Sequence, residues 1–367
     1  MKFLIEREKI IGELQLLQGI VEKRNTMPIL ANILLSGAKG EIEITGTDLE
    51  VGLRTHFEAQ IEEEGATTIS GKKIFEIIKS IPEGAIVTFK EADELTMQIK
   101  AGESEFKVLC LPREDYPQVP DGKFEKGIGF NLNVFQGMID RVFNVITQEQ
   151  RYYLSGALLI MNNNSIELVS TDGHRLAYTS KKLDNVLNLE REVRVIVAKK
   201  TMAELRKFED DSIEFDLNEN NLFFRVKNRT IISRIIEGKF PNFEAVIPKE
   251  NPNMVIVSKE EMTEAIRRVS LFSTERSKGI KFYISKNEMR LFSSNPEIGE
   301  ARDKVDVDYS GEDVEIGFNS QYLLDFLSNV RGEKVRIEIK DTNSSVLMKP
   351  EADEDINYLY VLMPMKL

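Results

Sequence analysis

Val169-Ser170-Thr171-Asp172-Gly173-His174-Arg175-Leu176-Ala177-Tyr178 lies near the middle of the chain and holds one of its two histidines. Taken alone, an acid, an imidazole and a guanidinium within four residues suggest an active-site turn. The chain supplies its own test. Thr47-Asp48 stands at the matching place of an earlier repeat, in Gly46-Thr47-Asp48-Leu49-Glu50, and neither Leu49 nor Glu50 is catalytic in character. A Thr-Asp that recurs where no histidine follows reads as turn chemistry, with the carboxylate accepting backbone N–H bonds. Gly173, His174 and Arg175 are peculiar to the middle repeat, and a binding surface explains them better than catalysis.

The recurrence belongs to a larger pattern. Apolar residues at helical spacing mark a helix early in each third of the chain. They are Ile10, Leu14, Leu17 and Val21, then Leu132, Phe135, Met138, Ile139, Val142, Phe143 and Ile146. Met262, Ile266, Val269 and Phe272 form the third stripe, behind a capping-box pair of Ser258 and Glu261. A second helix follows in each third, marked by Ile74, Ile77, Ile78 and Ile81, by Met202, Leu205 and Phe208, and by Tyr322, Leu323, Phe326, Leu327 and Val330 after an Asn319 cap. Two strand-like runs come after every helix, such as Ile29–Leu35 with Glu41–Thr45 and Leu154–Met161 with Ser165–Ser170, joined by turn residues. Helix, strands, helix, strands thus repeats three times with a period of about 125 residues, an ordinary size for one domain. Proline-bearing stretches, Pro112–Pro120 and Pro241–Pro252, separate the thirds. The expected fold is α+β, with three similar domains at 1–125, 126–248 and 249–367, each of two helices packed on antiparallel sheet.

With 49 Lys and Arg against 61 Asp and Glu, the net charge is -12, which excludes a protein that grips nucleic acid with its whole surface. The charge is unevenly placed. Segments 6–24, 71–81, 131–147, 199–208, 258–276 and 319–331, read as helices, hold 17 basic and 12 acidic residues, leaving 32 against 49 elsewhere. Relatively basic helices on an acidic body suit a molecule whose helices face one polyanion. Enzyme signals are weak. Ser70-Gly71-Lys72-Lys73 matches S-x-x-K without a companion motif, and no phosphate-cradling glycine loop is present. Two scattered histidines and the single Cys110 give no metal-ligand spacing, and Cys110 reads as a buried strand residue. No catalytic group, cofactor or metal is expected. Charge close to the N-terminus and the lack of a long apolar run point to a cytoplasmic protein without a membrane span.

Six stretches together resemble one family, the bacterial sliding clamps, which are the processivity-conferring beta subunits of replicative DNA polymerase. They are Met1-Lys2-Phe3, Pro28-Ile29-Leu30, Thr45-Gly46-Thr47-Asp48-Leu49-Glu50, Arg151-Tyr152-Tyr153-Leu154-Ser155-Gly156, Thr171 to Ala177, and the tail from Tyr360 to Leu367. The resemblance runs the full length. It implies the DNA clamp fold, closed head to tail as a ring homodimer around double-stranded DNA without sequence preference. Twelve helices side by side at ~9 Å would give a circumference of ~110 Å and a hole of ~25 Å, enough for a duplex roughly 20 Å wide. Weak phosphate contacts from Arg24, Lys72, Lys73, Lys79, Lys199, Lys200, Arg206 and Lys207, with Gln148, Tyr152 and Tyr153 near the DNA, would then permit sliding.

The same resemblance implies a pocket for short peptides from the replicative polymerase, the clamp loader, repair polymerases and other clamp-motif proteins. Its middle-domain side would comprise Arg151, Tyr153, Leu154, Thr171, Gly173, His174, Arg175, Leu176, Pro241 and Val246. The last domain would add Asn319, Tyr322, Ser345, Val361, Met363, Pro364, Met365 and Leu367. Apolar residues would form a slot, and flexible methionines would adapt to varied partners. Ala245 stands where relatives often have Arg, and Lys366 where they often have Arg. Ring closure would use Phe106, Leu271 and Phe272 as an apolar centre. Some relatives pair basic residues on the first-domain strand with acids opposite. Here Glu103 and Glu105 lie on that strand and Arg302 and Lys304 in the opposing segment, so the charges are expected to have swapped sides.

Overall fold

The computed structural model describes residues 1–21, 27–147, 152–183, 186–187, 189–274, 277–352 and 355–366. Six α-helices occur among them: α1 (Arg7–Leu17), α2 (Gly71–Ser80), α3 (Leu132–Phe143), α4 (Lys199–Leu205), α5 (Lys259–Ser270) and α6 (Ser320–Leu327). All six coincide with helices read from the sequence, but each ends earlier than its apolar stripe. Ile146, Phe208 and Val330 lie beyond the helical hydrogen bonds and are still buried. The stripe reports burial, and burial continues into the turn after the helix. The expected caps are present. Ser258 Oγ accepts from Glu261 N, and the Asn319 side chain accepts from Gln321 N and Tyr322 N.

The strands need correction. Each helix is preceded by a short strand and followed by three, with a fourth, Gln60–Glu63, after the first helix, where the sequence suggested two after each helix. The leading strands are Lys2–Glu6, Gly65–Ser70, Ile128–Asn131, Val193–Ala198, Asn253–Ser258 and Val314–Asn319. Each abuts its helix, so the change from period two to period 3.6 leaves no gap to read. The third strands close the half-repeats: Val51–Glu58, Ser104–Leu111, Arg175–Lys182, Arg229–Arg234, Gly299–Asp308 and Asn357–Leu362. Two runs taken as strands begin instead as 3-10 turns, Pro28–Ala31 and Tyr152–Leu154. Pro28 lacks the N–H a ladder needs and sits at the first position of its turn, where none is required.

All strand pairing is antiparallel, in one 13-stranded and one 12-stranded sheet among the described residues. The chain divides into two compact units, residues 1–133 with 200–235 and residues 134–199 with 236–367. This division cuts through the middle repeat, because each sheet runs across a repeat boundary. In the first unit Arg229–Arg234 pairs with Val51–Glu58, and in the second Asn357–Leu362 pairs with Arg175–Lys182. The two joints share one register. Arg229, Ile231 and Ser233 lie opposite Thr55, Leu53 and Val51, as Tyr358, Tyr360 and Leu362 lie opposite Thr179, Ala177 and Arg175.

Each joint is fastened from inside. In the first unit the Glu13 carboxylate of α1, 6% exposed, accepts from Arg229 Nη2 at 2.6 Å and from Thr55 Oγ1 at 2.8 Å. Donation from Arg229 to the Glu13 carboxylate is the main reason the Arg229 pKa is raised. In the second unit Tyr358 and Tyr360 occupy the corresponding strand and pack their rings on Phe326 of α6, each at 5.3 Å between centroids.

Candidate functional site

The turn after Thr171 and the turn after Thr47 have the same construction. Asp172 Oδ1 accepts from His174 N at 2.9 Å and Arg175 N at 3.0 Å. Asp48 Oδ1 accepts from Glu50 N at 2.9 Å and Val51 N at 2.7 Å. Thr171 Oγ1 donates to Arg175 O and accepts from Gly173 N, and Thr47 Oγ1 does the same with Val51 O and Leu49 N. The third residue is left-handed in both, Gly173 at φ +88 and Leu49 at φ +77. Glycine takes that conformation without strain, whereas leucine is held in it by the surrounding hydrogen bonds. These carboxylates build turns.

Arg175 is a hub beneath its turn. Its guanidinium donates to Asp172 Oδ2 at 2.9 Å, Asp325 Oδ2 at 2.5 Å, Tyr360 Oη at 3.0 Å and Asn144 O at 2.6 Å. It also lies 4.0 Å from the centroid of the Tyr322 ring. Burial opposes its charge, but Tyr360, Asp325 and Asp172 outweigh that and hold its pKa above the ordinary value. Burial pushes the Tyr360 phenol up as well. Arg175, expected from the sequence as a pocket residue, also ties the turn to the residue after α3, to α6 and to the last strand. Asp325, Tyr360 and Asn144 were missed. The only hint was Asp325, an acid set inside the apolar run of α6.

Around this hub, several expected pocket residues come together. Leu154, Leu176 and Val361 belong to one apolar cluster, with Tyr153 packed against it, and Leu176 faces Val361 across the strand joint. The same cluster holds Phe240 and Phe243, which the sequence reading did not single out. Pro241 and Val246 flank Phe243 and are exposed, with Val246 at 46%. His174 is exposed, and its carbonyl accepts Met363 N at 2.9 Å, which draws the tail to the turn. Met365 N continues the tail by donating to Gly317 O at 2.8 Å. Met363 is 43% exposed, Pro364 and Met365 are half-buried, and Asn319 and Tyr322 stand at the start of α6. The Ser345 carbonyl accepts from Asn251 Nδ2 at 3.3 Å. Arg151 and Leu367 lie outside the described residues. The exposed Pro241, His174, Val246 and Met363 of this region lie beside a buried apolar cluster.

The expected DNA-facing residues divide. Lys72, Lys73, Arg206 and Lys207 are exposed; Lys72 and Lys73 pair with Glu76 at the surface, and Lys207 pairs with the buried Glu204. Lys79 lies 5.8 Å from the Phe75 ring. Lys199 and Lys200 are committed to the fold. Lys199 Nζ donates to Ile146 O at 2.8 Å, and burial, then Arg175, holds its pKa down. Lys200 pairs with Asp48 and donates to Ile20 O at 3.1 Å. Tyr152 begins the turn Tyr152–Leu154, while Arg24 and Gln148 lie outside the described residues.

At the expected ring-closing positions, Phe106 is half-buried and Leu271 is 73% exposed, and a side chain at Gly299 would meet the Phe272 ring at 3.6 Å. Glu103 is exposed, and Glu105 pairs with Lys100 at 3.2 Å. Arg302 pairs with Glu300 at 3.1 Å and Lys304 with Glu288 at 2.8 Å. Two further exposed apolar residues near these strands, Leu109 and Ile298, carried no periodic signal. Cys110 is buried in its strand, and burial pushes its thiol up. Among the described residues no His, Cys, Asp and Glu group could hold a metal, and no helix is long and apolar enough to cross a membrane.

Comparison with known proteins is consistent along the whole chain. Family models of the DNA polymerase III beta subunit match at residues 1–120 for the N-terminal domain, 130–242 for the central domain and 244–366 for the C-terminal domain. The beta sliding clamp of Pseudomonas putida is 36% identical over 373 residues, and that of Escherichia coli K12 is 34% identical over 372, each match covering 100% of both chains. A crystal structure of a DNA polymerase sliding clamp from Pseudomonas aeruginosa superposes with a TM-score of 0.93 at 34% identity, covering 100% of both chains.

Proposed function

The chain belongs to the DNA polymerase III beta subunit family, the bacterial sliding clamps, and from that premise we propose that two copies close head to tail around duplex DNA and tether polymerases to it. The observation that carries the ring is a pair of leftover strand edges. At both internal joints, the third strand of a first half-repeat pairs with the third strand of a second half-repeat. Two such strands remain, Ser104–Leu111 and Gly299–Asp308. Beyond its own hairpin, the first pairs with Gly65–Ser70 only at Cys110 and Leu111, and the second with Asn253–Ser258 only at Val307 and Asp308. An open edge is a template for another chain, and a second copy offers the complementary edge.

Tethering by a ring is topological, so the grip on DNA can be weak. Lys72, Lys73 and Lys79 on α2, with Arg206 and Lys207 just past α4, supply diffuse positive charge, favouring phosphates without reading bases. An acidic exterior discourages DNA from binding elsewhere. The partner pocket lies at the exposed Pro241, Val246 and Met363, beside the buried cluster of Leu154, Leu176 and Val361, and is bordered by His174 and the tail methionines. It takes short peptides from replicative and repair polymerases and the clamp loader. The chain performs no catalysis and needs no cofactor, and it acts in the cytoplasm, where the chromosome lies. The test is retention on DNA. The protein loaded by its clamp loader should stay on circular DNA through a gel-filtration column and leave once the circle is cut. Loss at equal rates from circles and linear DNA would overturn the reading.

A further inference from the structure

We infer the register of the closing joint and, from it, a set of charge pairs by which a second copy is recognised; this rests on the ring reading above. The inward-facing residues of the three matched hairpins fix the alignment. Ile44 faces Thr55, Leu168 faces Thr179 and Leu291 faces Asp303, each three residues before the matched turn. On the other strand, Phe224 faces Ile231, Met348 faces Tyr360 and Ile99 faces Phe106. Both internal joints then obey one rule, in which Ile231 meets Leu53 and Tyr360 meets Ala177. Applied to the leftover edges, the rule sets Phe106 of one copy opposite Ala301 of the other, Ser104 opposite Asp303, and Val108 opposite Gly299. A large ring thus meets a small side chain.

The outward face follows from the period of two. Glu105 falls opposite Arg302, Lys107 opposite Glu300, and Glu103 opposite Lys304. All three are opposite-charge pairs. A slip of one residue would turn every one of these side chains to the other face. The internal joints carry nothing comparable: their outward pairs include Ile232 with Gly52, Leu359 with Tyr178 and Val361 with Leu176. The physical reason is exposure. Internal joints form once, during folding, whereas the closing edges meet water and other chains first. Charges there keep the edges from pairing indiscriminately and steer the correct copy into register. Arg302 and Lys304 already neighbour Glu300 and Glu288 in their own chain, so closure completes an alternating ladder of charge.

Cysteine pairs read the register directly. Residues opposed across antiparallel strands have Cα atoms ~4.5–5.5 Å apart, within the ~4.4–6.8 Å a disulfide spans, while neighbours two along lie at ~7–8 Å. In a Cys110→Ser background, Glu105→Cys with Arg302→Cys should give chain-to-chain cross-linking on mild oxidation, and Glu105→Cys with Lys304→Cys should not. Independently, Lys107→Glu should weaken dimerisation about tenfold in sedimentation, and Glu300→Lys in the same chain should restore it. A dimer that cross-links through Lys304→Cys instead, or is not rescued by the second reversal, would overturn the register and leave the ring. An unmodified chain that stays monomeric at every concentration would overturn the ring itself.

Discussion

Replacing Arg175 by methionine tests how the candidate pocket is held. The side chain keeps similar length and apolar volume but loses every donor. Asp172 and Asp325 lose their shared counter-ion, with side-chain exposures of only 15% and 14%. The carbonyl of Asn144 and the hydroxyl of Tyr360 each lose a donor. Removing one partner of a buried ion pair costs about 3–5 kcal/mol, because an uncompensated charge is left behind. Some relief remains. Asp172 Oδ1 still accepts two turn amides, Asp325 Oδ1 still accepts from Gln321 Nε2 at 2.9 Å, and Tyr360 Oη still donates to Tyr322 O. The expected loss is therefore about 3 kcal/mol, the low end of that range. Urea unfolding of the second unit's transition would report it as a lower midpoint with an unchanged slope. Adding Asp325→Leu and Asp172→Asn should recover most of the loss, since the asparagine keeps the turn acceptor and no buried charge remains. A loss below about 1 kcal/mol, the value of a surface pair, would refute the claim that this guanidinium fastens the turn to α6 and the last strand.

Other outcomes follow from the same structure. His174→Ala should weaken binding of a partner peptide about tenfold, or 1.4 kcal/mol, while leaving dimerisation unchanged, since only its backbone carbonyl holds Met363. Isothermal titration beside sedimentation would read both, and equal losses in the two would contradict a pocket role. Glu13→Ala should destabilise the first unit by about 3–5 kcal/mol in chemical denaturation, because Arg229 then keeps a half-buried charge without its acid. Leu49→Gly should raise stability by about 0.5–1 kcal/mol, relief of a left-handed leucine exceeding the flexibility glycine adds to the unfolded chain. A lowered melting temperature would count against stored strain at that turn. The Arg336 hydrogen bonds hold the Glu351 pKa below the ordinary value. A depressed carboxyl stabilises the fold above its unfolded pKa, and that contribution is lost as pH falls through its folded pKa. Glu351→Gln should therefore flatten the acid limb of the stability profile, visible as a smaller drop in melting temperature below about pH 4.5.

Much of the molecule could be read in advance, for particular reasons. The six helices were visible because each buries one face, and the stripes Ile10–Leu14–Leu17 and Met262–Ile266–Val269 state that burial directly. Comparing Thr47-Asp48 with Thr171-Asp172 was enough to demote an apparent catalytic acid to a turn former, because side-chain-to-backbone hydrogen bonds are local and need only neighbouring residues. The leading strands were not visible. Four to six residues that run straight into a helix carry too few alternations to register as a separate period.

The non-local contacts show where sequence reasoning stops. Arg175 reads from the sequence as a pocket residue, and the partners that fasten it, Asp325 and Tyr360, are 150 and 185 residues away. No pattern along the chain encodes that distance. Lys199 and Lys200 read from the sequence as charge beside DNA, and the fold adds contacts that the sequence does not show: one donates to the Ile146 carbonyl and the other pairs with Asp48. A basic residue in a sequence advertises only its charge; the carbonyls and acids that fold up beside it decide whether that charge remains available.

The sequence by itself determined the threefold repeat, the six helices and the chemistry of the matched turns, all consequences of periodicity and of hydrogen bonds that close within a few residues. Only the tertiary structure decided that the sheets run through the repeat boundaries in one register, that Arg175 is a fastening, and that two strand edges are left over for another copy. Strand pairing joins residues far apart in the chain through backbone groups that every residue carries, so the choice of partner is settled by which edges the fold leaves open.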